Sequence, residues 1–147
     1  MNLIKLIITL SLLSIPVQTI ALDFSKMNNF EKVSLYIEIM RVYSMSKTAQ
    51  PVIAQCEKQT ENGAEVRKKF NEFSRRHSKL IELGRLISDN PNQHTWLTEK
   101  MKKNATNMNE SIRKKIAEHN KTYSSSEKKD VEVLEKLCDD LTMYFST

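Results

Sequence analysis

The sequence predicts an all-α fold: a small bundle of four or five helices, tied by one disulfide and preceded by a cleaved leader. Three observations carry that expectation. Beyond residue 21 the chain keeps only two glycines, Gly63 and Gly84, and two prolines, Pro51 and Pro91, whereas a β chain of this size needs a turn signal every ~8–12 residues. Apolar positions recur in helical steps, most regularly at Val52, Cys56, Gln59, Gly63, Val66, Phe70, Phe73, His77, Leu80, Gly84 and Ile87, which alternate fours and threes as a heptad seam does. The only two cysteines are Cys56 and Cys138, and an even pair in an exported chain is expected to be oxidised.

Export is read from residues 1–21. Lys5 precedes an apolar run over residues 6–15, followed by Pro16 and the small-residue exit Thr19-Ile20-Ala21. A run of about ten residues is leader length, half of the roughly twenty that a membrane-spanning helix needs. The mature chain is expected to start near Leu22 and to form a single helical domain over residues 22–147, in the periplasm or outside the cell, with no transmembrane segment. The formal charge is +5, and Lys5 lies in the leader. Acids and bases interleave, with Glu65/Lys69, Glu72/Arg76, Glu99/Lys103, Glu110/Lys114 and Glu132/Lys136 spaced as i,i+4 pairs, so the charge reads as solvated helix faces and not as a nucleic-acid surface.

Taken in order, the first helix is expected over 28–47, opened by an Asn28/Glu31 capping box. Its stripe is Phe30, Val33, Ile37, Met40 and Ser44, widened by Tyr36, Ile39 and Tyr43. Pro51 suits the first turn of a second helix. The seam from Val52 reads at first as one helix to residue 88, but a straight helix of that length would leave Cys56 about 20 Å from Cys138, and bridged Cα atoms lie within about 7 Å. A break near Gly63 is therefore expected, giving helices over 51–61 and 63–88, the latter opened by an Asn62/Glu65 box, with the short Cys56 helix folded beside the bundle. Asn90-Pro91-Asn92 is a turn. A helix over 93–122 follows, carrying Trp96, Leu97, Met101, Ala105, Met108, Ile112, Ile116 and His119, with Asn104, Asn107 and Asn109 weakening its middle. Ser124 and Glu127 would cap a last helix whose stripe is Val131, Leu134, Cys138, Leu141 and Phe145.

Catalytic signatures are missing from this pattern. His77 lies on the seam, His94 beside the Pro91 turn and His119 on a core edge, none spaced for zinc, haem or a carboxylate-bridged metal. Met40, Met101 and Met108 fall on core stripes, the placement of packing residues and not of soft-metal ligands. No Gly-x-Ser-x-Gly elbow or glycine-rich phosphate cradle occurs. Sequons at Asn104, Asn109 and Asn120 mark a glycosylated helix face only if the source is eukaryotic. No enzyme activity, cofactor or metal is therefore expected. The expected function is binding of another envelope or extracellular protein, in an inhibitor, immunity, chaperone or accessory role. The alternative is a carrier of a lipid or small apolar ligand. Leu35, Tyr36, Ile39, Tyr43 and Trp96 supply more apolar and aromatic surface than one seam requires and form the candidate partner or ligand surface. Membrane association through the first helix is opposed by Glu38 and Arg41, which interrupt it.

Overall fold

A computed structural model describes residues 23–124 and 130–147, in which five α-helices and no strand occur. They are α1 (Asn29–Gln59), α2 (Gly63–Arg76), α3 (Ser78–Asp89), α4 (Glu99–Ser124) and α5 (Asp130–Ser146), with 3-10 turns at Phe24–Lys26 and Pro91–Gln93. The leader and Glu127 lie outside the described residues, while Ser124, expected to cap the last helix, is the final residue of α4. The all-helical class and the Cys56–Cys138 disulfide are as expected. No helix among the described residues is long and apolar enough to cross a membrane.

The spine of the fold is α1, which packs against all four other helices. At 31 residues it is about 46 Å long. It opens on the expected capping box: Asn28 Oδ1 accepts from the Glu31 N–H at 3.0 Å, and Glu31 accepts from the Asn28 N–H at 2.9 Å. Two cores share it. The first joins Leu35, Ile39 and Tyr43 of α1 to Ile87 of α3 and to Met101, Ala105 and Ile112 of α4. The second joins Val42, Ala49, Ile53 and Cys56 to Val66, Phe70 and Phe73 of α2 and Leu134, Cys138 and Phe145 of α5. Leu80 packs against both.

Contacts along α1 give the chain direction. Cys56 meets Cys138 and Arg41 meets Tyr144, so α5 runs antiparallel to α1. Gly63 lies against Cys56 and Gly84 against Tyr43, so α2 and α3 descend along it in turn. Tyr36 meets Met101, and the His119 ring bonds the Pro51 carbonyl, so α4 runs parallel to α1. The result is an up-down-up-down bundle in which the second limb is two helices.

Four expectations about the helices need correction. First, α1 does not end near residue 47; it continues through Pro51 to Gln59, so Cys56 sits in its last two turns and no separate short helix exists. Pro51 leaves the Lys47 carbonyl without its helical donor, at a cost near 3 kcal/mol in an isolated helix. Burial of Ala49, Ile53 and Cys56 at 2%, 0% and 0% exposure offsets that cost. Pro51→Ala is accordingly expected to raise the unfolding free energy by about 1–3 kcal/mol, read as a higher urea midpoint; an unchanged midpoint would show that the backbone has relaxed around the proline.

Second, the break at Gly63 occurs where expected, but the limb that follows is interrupted again at His77. No Gly or Pro marks that interruption. The seam keeps its phase across it, because the His77 N–H still donates to Phe73 and the Ile81 N–H to His77, each at 3.0 Å. Third, Asn62 is the cap residue of α2 but makes no capping bond; its amide donates instead to Asp139 on α5. Fourth, α4 starts at Glu99 and not at residue 93, and it is unbroken through its asparagines. Asn104 and Asn109 bond across to Tyr36 and to the Ser88 carbonyl, so these two amides serve the packing of α4 and not its fraying.

The surface ion pairs differ in detail from those expected. Glu99 pairs with Lys102, Lys69 with Glu72 and Lys114 with Glu118, while Arg76 donates to the Phe145 carbonyl at 2.8 Å and caps the C-terminus of α5.

Candidate functional site

Four of the five residues expected to form a binding surface are core residues. Leu35, Tyr36 and Tyr43 are 5% exposed and Ile39 is fully buried. Tyr36 spans the α1–α4 seam: its hydroxyl donates to the Met101 carbonyl at 3.0 Å and lies 2.8 Å from the Asn104 side-chain oxygen. Burial pushes its phenol up to about 12. Trp96 is half-buried just ahead of α4, its indole stacked at 4.4 Å on Phe24.

Of the stripe assigned by spacing to the inner face, Met40 is buried and Ser44 half-buried, while the other three residues are uncovered. Phe30 is 73% exposed, Ile37 58% and Val33 42%. They lie at i, i+3 and i+7, on one face of α1. Leu86, Val133 and Met143 are also exposed, but on other helices, and single apolar side chains at a surface are ordinary. A signal for the true inner face was present. Leu35, Ile39, Val42, Ser46, Ala49, Ile53 and Cys56 step by four and three and are all buried, and this seam is seen at its full length only if α1 is carried through Pro51.

Two grooves lie along this face. The first, about 340 Å³, is lined by Lys32 and Val33 of α1, by Trp96 and Leu97, and by Met101 of α4. The second, about 440 Å³, has Ile37, Met40 and Met45 of α1 opposite Met108 and Lys115 of α4, with Arg41 at its edge. Arg41 is held by Glu38 through two bonds, at 2.9 and 2.8 Å, and also donates to the Tyr144 hydroxyl. That bonding keeps the Glu38 carboxyl below its usual range.

The histidines occupy packed positions. His77 is half-buried with its ring 4.6 Å from Phe73, and burial, reinforced by the Arg76 and Arg41 charges and opposed by Glu38, lowers its pKa. His119 is lowered by burial, against the bond to the Pro51 carbonyl. His94 is half-buried at the end of the Pro91 turn. Among the described residues no three His, Cys, Asp or Glu side chains gather as a metal site requires. Of the sequons, Asn120 is exposed while Asn109 is half-buried.

Lowered histidine pKa values make stability depend on pH. The unfolded chain takes up these protons near the ordinary value of about 6.5 while the folded chain resists them, so the unfolded state binds more protons just below that pH. Stability is complete above about pH 6.5 and falls as the pH drops below it. We expect the urea midpoint to decline from pH 7 to 5 and His77→Gln to flatten that decline. An equal slope in the variant would remove His77 from the account.

Comparison with protein families, curated proteins and solved structures finds no match for this chain.

Proposed function

We propose that this chain is a small exported, non-catalytic helical protein that binds another envelope or extracellular protein through the outward face of α1. The observation that carries the reading is the row Phe30, Val33 and Ile37, exposed on one helix face, with Val33 and Ile37 each lining a groove of mixed apolar and polar side chains. A contiguous apolar face of this kind marks an interaction site far more often than isolated exposed side chains do. Export is supported by the leader-like pattern of residues 1–21 and by the Cys56–Cys138 disulfide, a bond that persists in oxidising compartments. A rigid stapled bundle offers such a face with little conformational entropy left to lose on binding.

Ile37→Asp tests the reading. At 58% exposure the side chain contributes little to folding, so the unfolding free energy is expected to stay within about 0.5 kcal/mol of wild type. An unpaired carboxylate at the centre of the interface is expected to weaken partner retention at least ~10-fold. The measurement is recovery of the native complex from the protein's own compartment, with Lys79→Asp on α3 as control. Equal recovery from both variants would contradict the reading, and a retained lipid mass in place of a protein would favour the carrier.

A further inference from the structure

We infer that the element received by α1 is an amphipathic helix with acidic flanks, laid lengthwise in the trough between α1 and α4; this rests on the protein-binding reading above. Shape argues first. The two grooves follow one another along α1 from Asn29 to Thr48, about 28 Å or five helical turns. That length matches a partner helix of roughly 18–20 residues presenting apolar anchors at i, i+3/i+4 and i+7. A flat bilayer cannot follow a concave floor, and a small apolar ligand would stay largely wet in grooves open along their length.

Charge argues second. The lining of both grooves includes Lys32, Arg41 and Lys115 and no carboxylate. Arg41 is already paired with Glu38. Lys32 and Lys115, toward opposite ends of the trough, belong to none of the ion pairs among the described residues. Over α4 as a whole, bases outnumber acids seven to three. An occupant with acids on both flanks would meet a cation at each end, and one with lysines would be repelled.

The floor argues third. Met40, Met45 and Met108 line the second groove. Unbranched, polarizable thioether side chains adapt to the knobs of an incoming helix, as methionine does in other helix-receiving grooves.

The test uses the mature, oxidised protein and two synthetic 18-residue amphipathic helices that share a leucine face and differ only in having Glu or Lys on their flanks. Binding is read by fluorescence anisotropy at low and high salt. The Glu peptide is expected to bind at least ~10-fold tighter than its Lys twin, to lose that advantage in high salt, and to exchange rank with the twin in the Lys32→Glu/Lys115→Glu double variant. Equal affinities, or tighter binding of the Lys peptide to wild type, would overturn the inference. So would Ile37-dependent binding to phosphatidylglycerol vesicles with no response to the Glu peptide, which would make the face a membrane surface. If neither peptide binds while position 37 still crosslinks to a natural protein partner, this inference fails alone; if there is no crosslink either, the protein-binding reading falls with it.

Discussion

Replacing Cys56 and Cys138 together with alanine is expected to lower the unfolding free energy by about 2–5 kcal/mol. The bridge closes a separation of 82 residues, with Cα atoms 6.0 Å apart, and joins the last turns of α1 to α5. Without it the unfolded chain gains conformational freedom, which on the loop-entropy model accounts for about 4–5 kcal/mol. Both cysteines are fully buried, so the alanine pair also leaves a void in the second core. The gain in unfolded-state freedom has a further signature: the slope of unfolding free energy against urea should rise as the unfolded state expands. Urea titrations of wild type and the double variant check both points. A loss below about 1 kcal/mol with an unchanged slope would mean that helix packing alone holds α5 in place.

A comparable effect is expected from a single methyl group at the same corner. In Gly63→Ala the new Cβ would fall inside contact distance of the Cys56 carbonyl and the Glu57 Cα, backbone atoms that cannot rotate away. Gly63 has no positive φ, so the requirement for glycine is one of space and not of conformation. Alanine favours a helix over glycine by about 1 kcal/mol, while overpacking against backbone costs about 3 kcal/mol. The clash therefore wins, and a net loss near 2 kcal/mol is expected in the urea midpoint. At Gly84 an added Cβ would meet the Cβ of buried Tyr43, an atom fixed to the α1 backbone, and would crowd the Ile39 carbonyl, so Gly84→Ala is expected to cost a comparable amount. A loss at Gly84 well above that at Gly63 would mean that the Cys56 corner is the looser of the two.

Much of the helical order was legible, because apolar spacing and the scarcity of Gly and Pro constrain it strongly. The disulfide required Cys56 and Cys138 to converge, and that requirement led to the break at Gly63. What misled was Pro51, which local propensity places at a helix start. Tertiary burial of Ile53 and Cys56 instead carried α1 through it. Splitting the helix there cuts short the seam from Leu35 to Cys56, and what remains is easily phased on Phe30, Val33 and Ile37 instead. The expected surface turns inward for the same reason: Tyr36 and Ile39 look surplus to a stripe phased on Phe30, Val33 and Ile37, but in the folded chain both are buried in the first core. The His77 interruption has no sequence signal. The asparagines of α4 were read by propensity alone, which omits the bonds to Tyr36 and Ser88 across the bundle. Grooves between α1 and α4 depend on how two helices distant in sequence sit together, and periodicity within one helix carries no such information.

On the proposed function, the outward face of α1 is covered by another protein in the native compartment. The most direct test is photo-crosslinking from a probe at position 37, compared with one at the exposed position 75 on α2, performed in that compartment without extraction. The account predicts a discrete protein adduct from position 37, absent from position 75 and suppressed by Val33→Asp. No adduct from 37, or the same adducts from both positions, would contradict it.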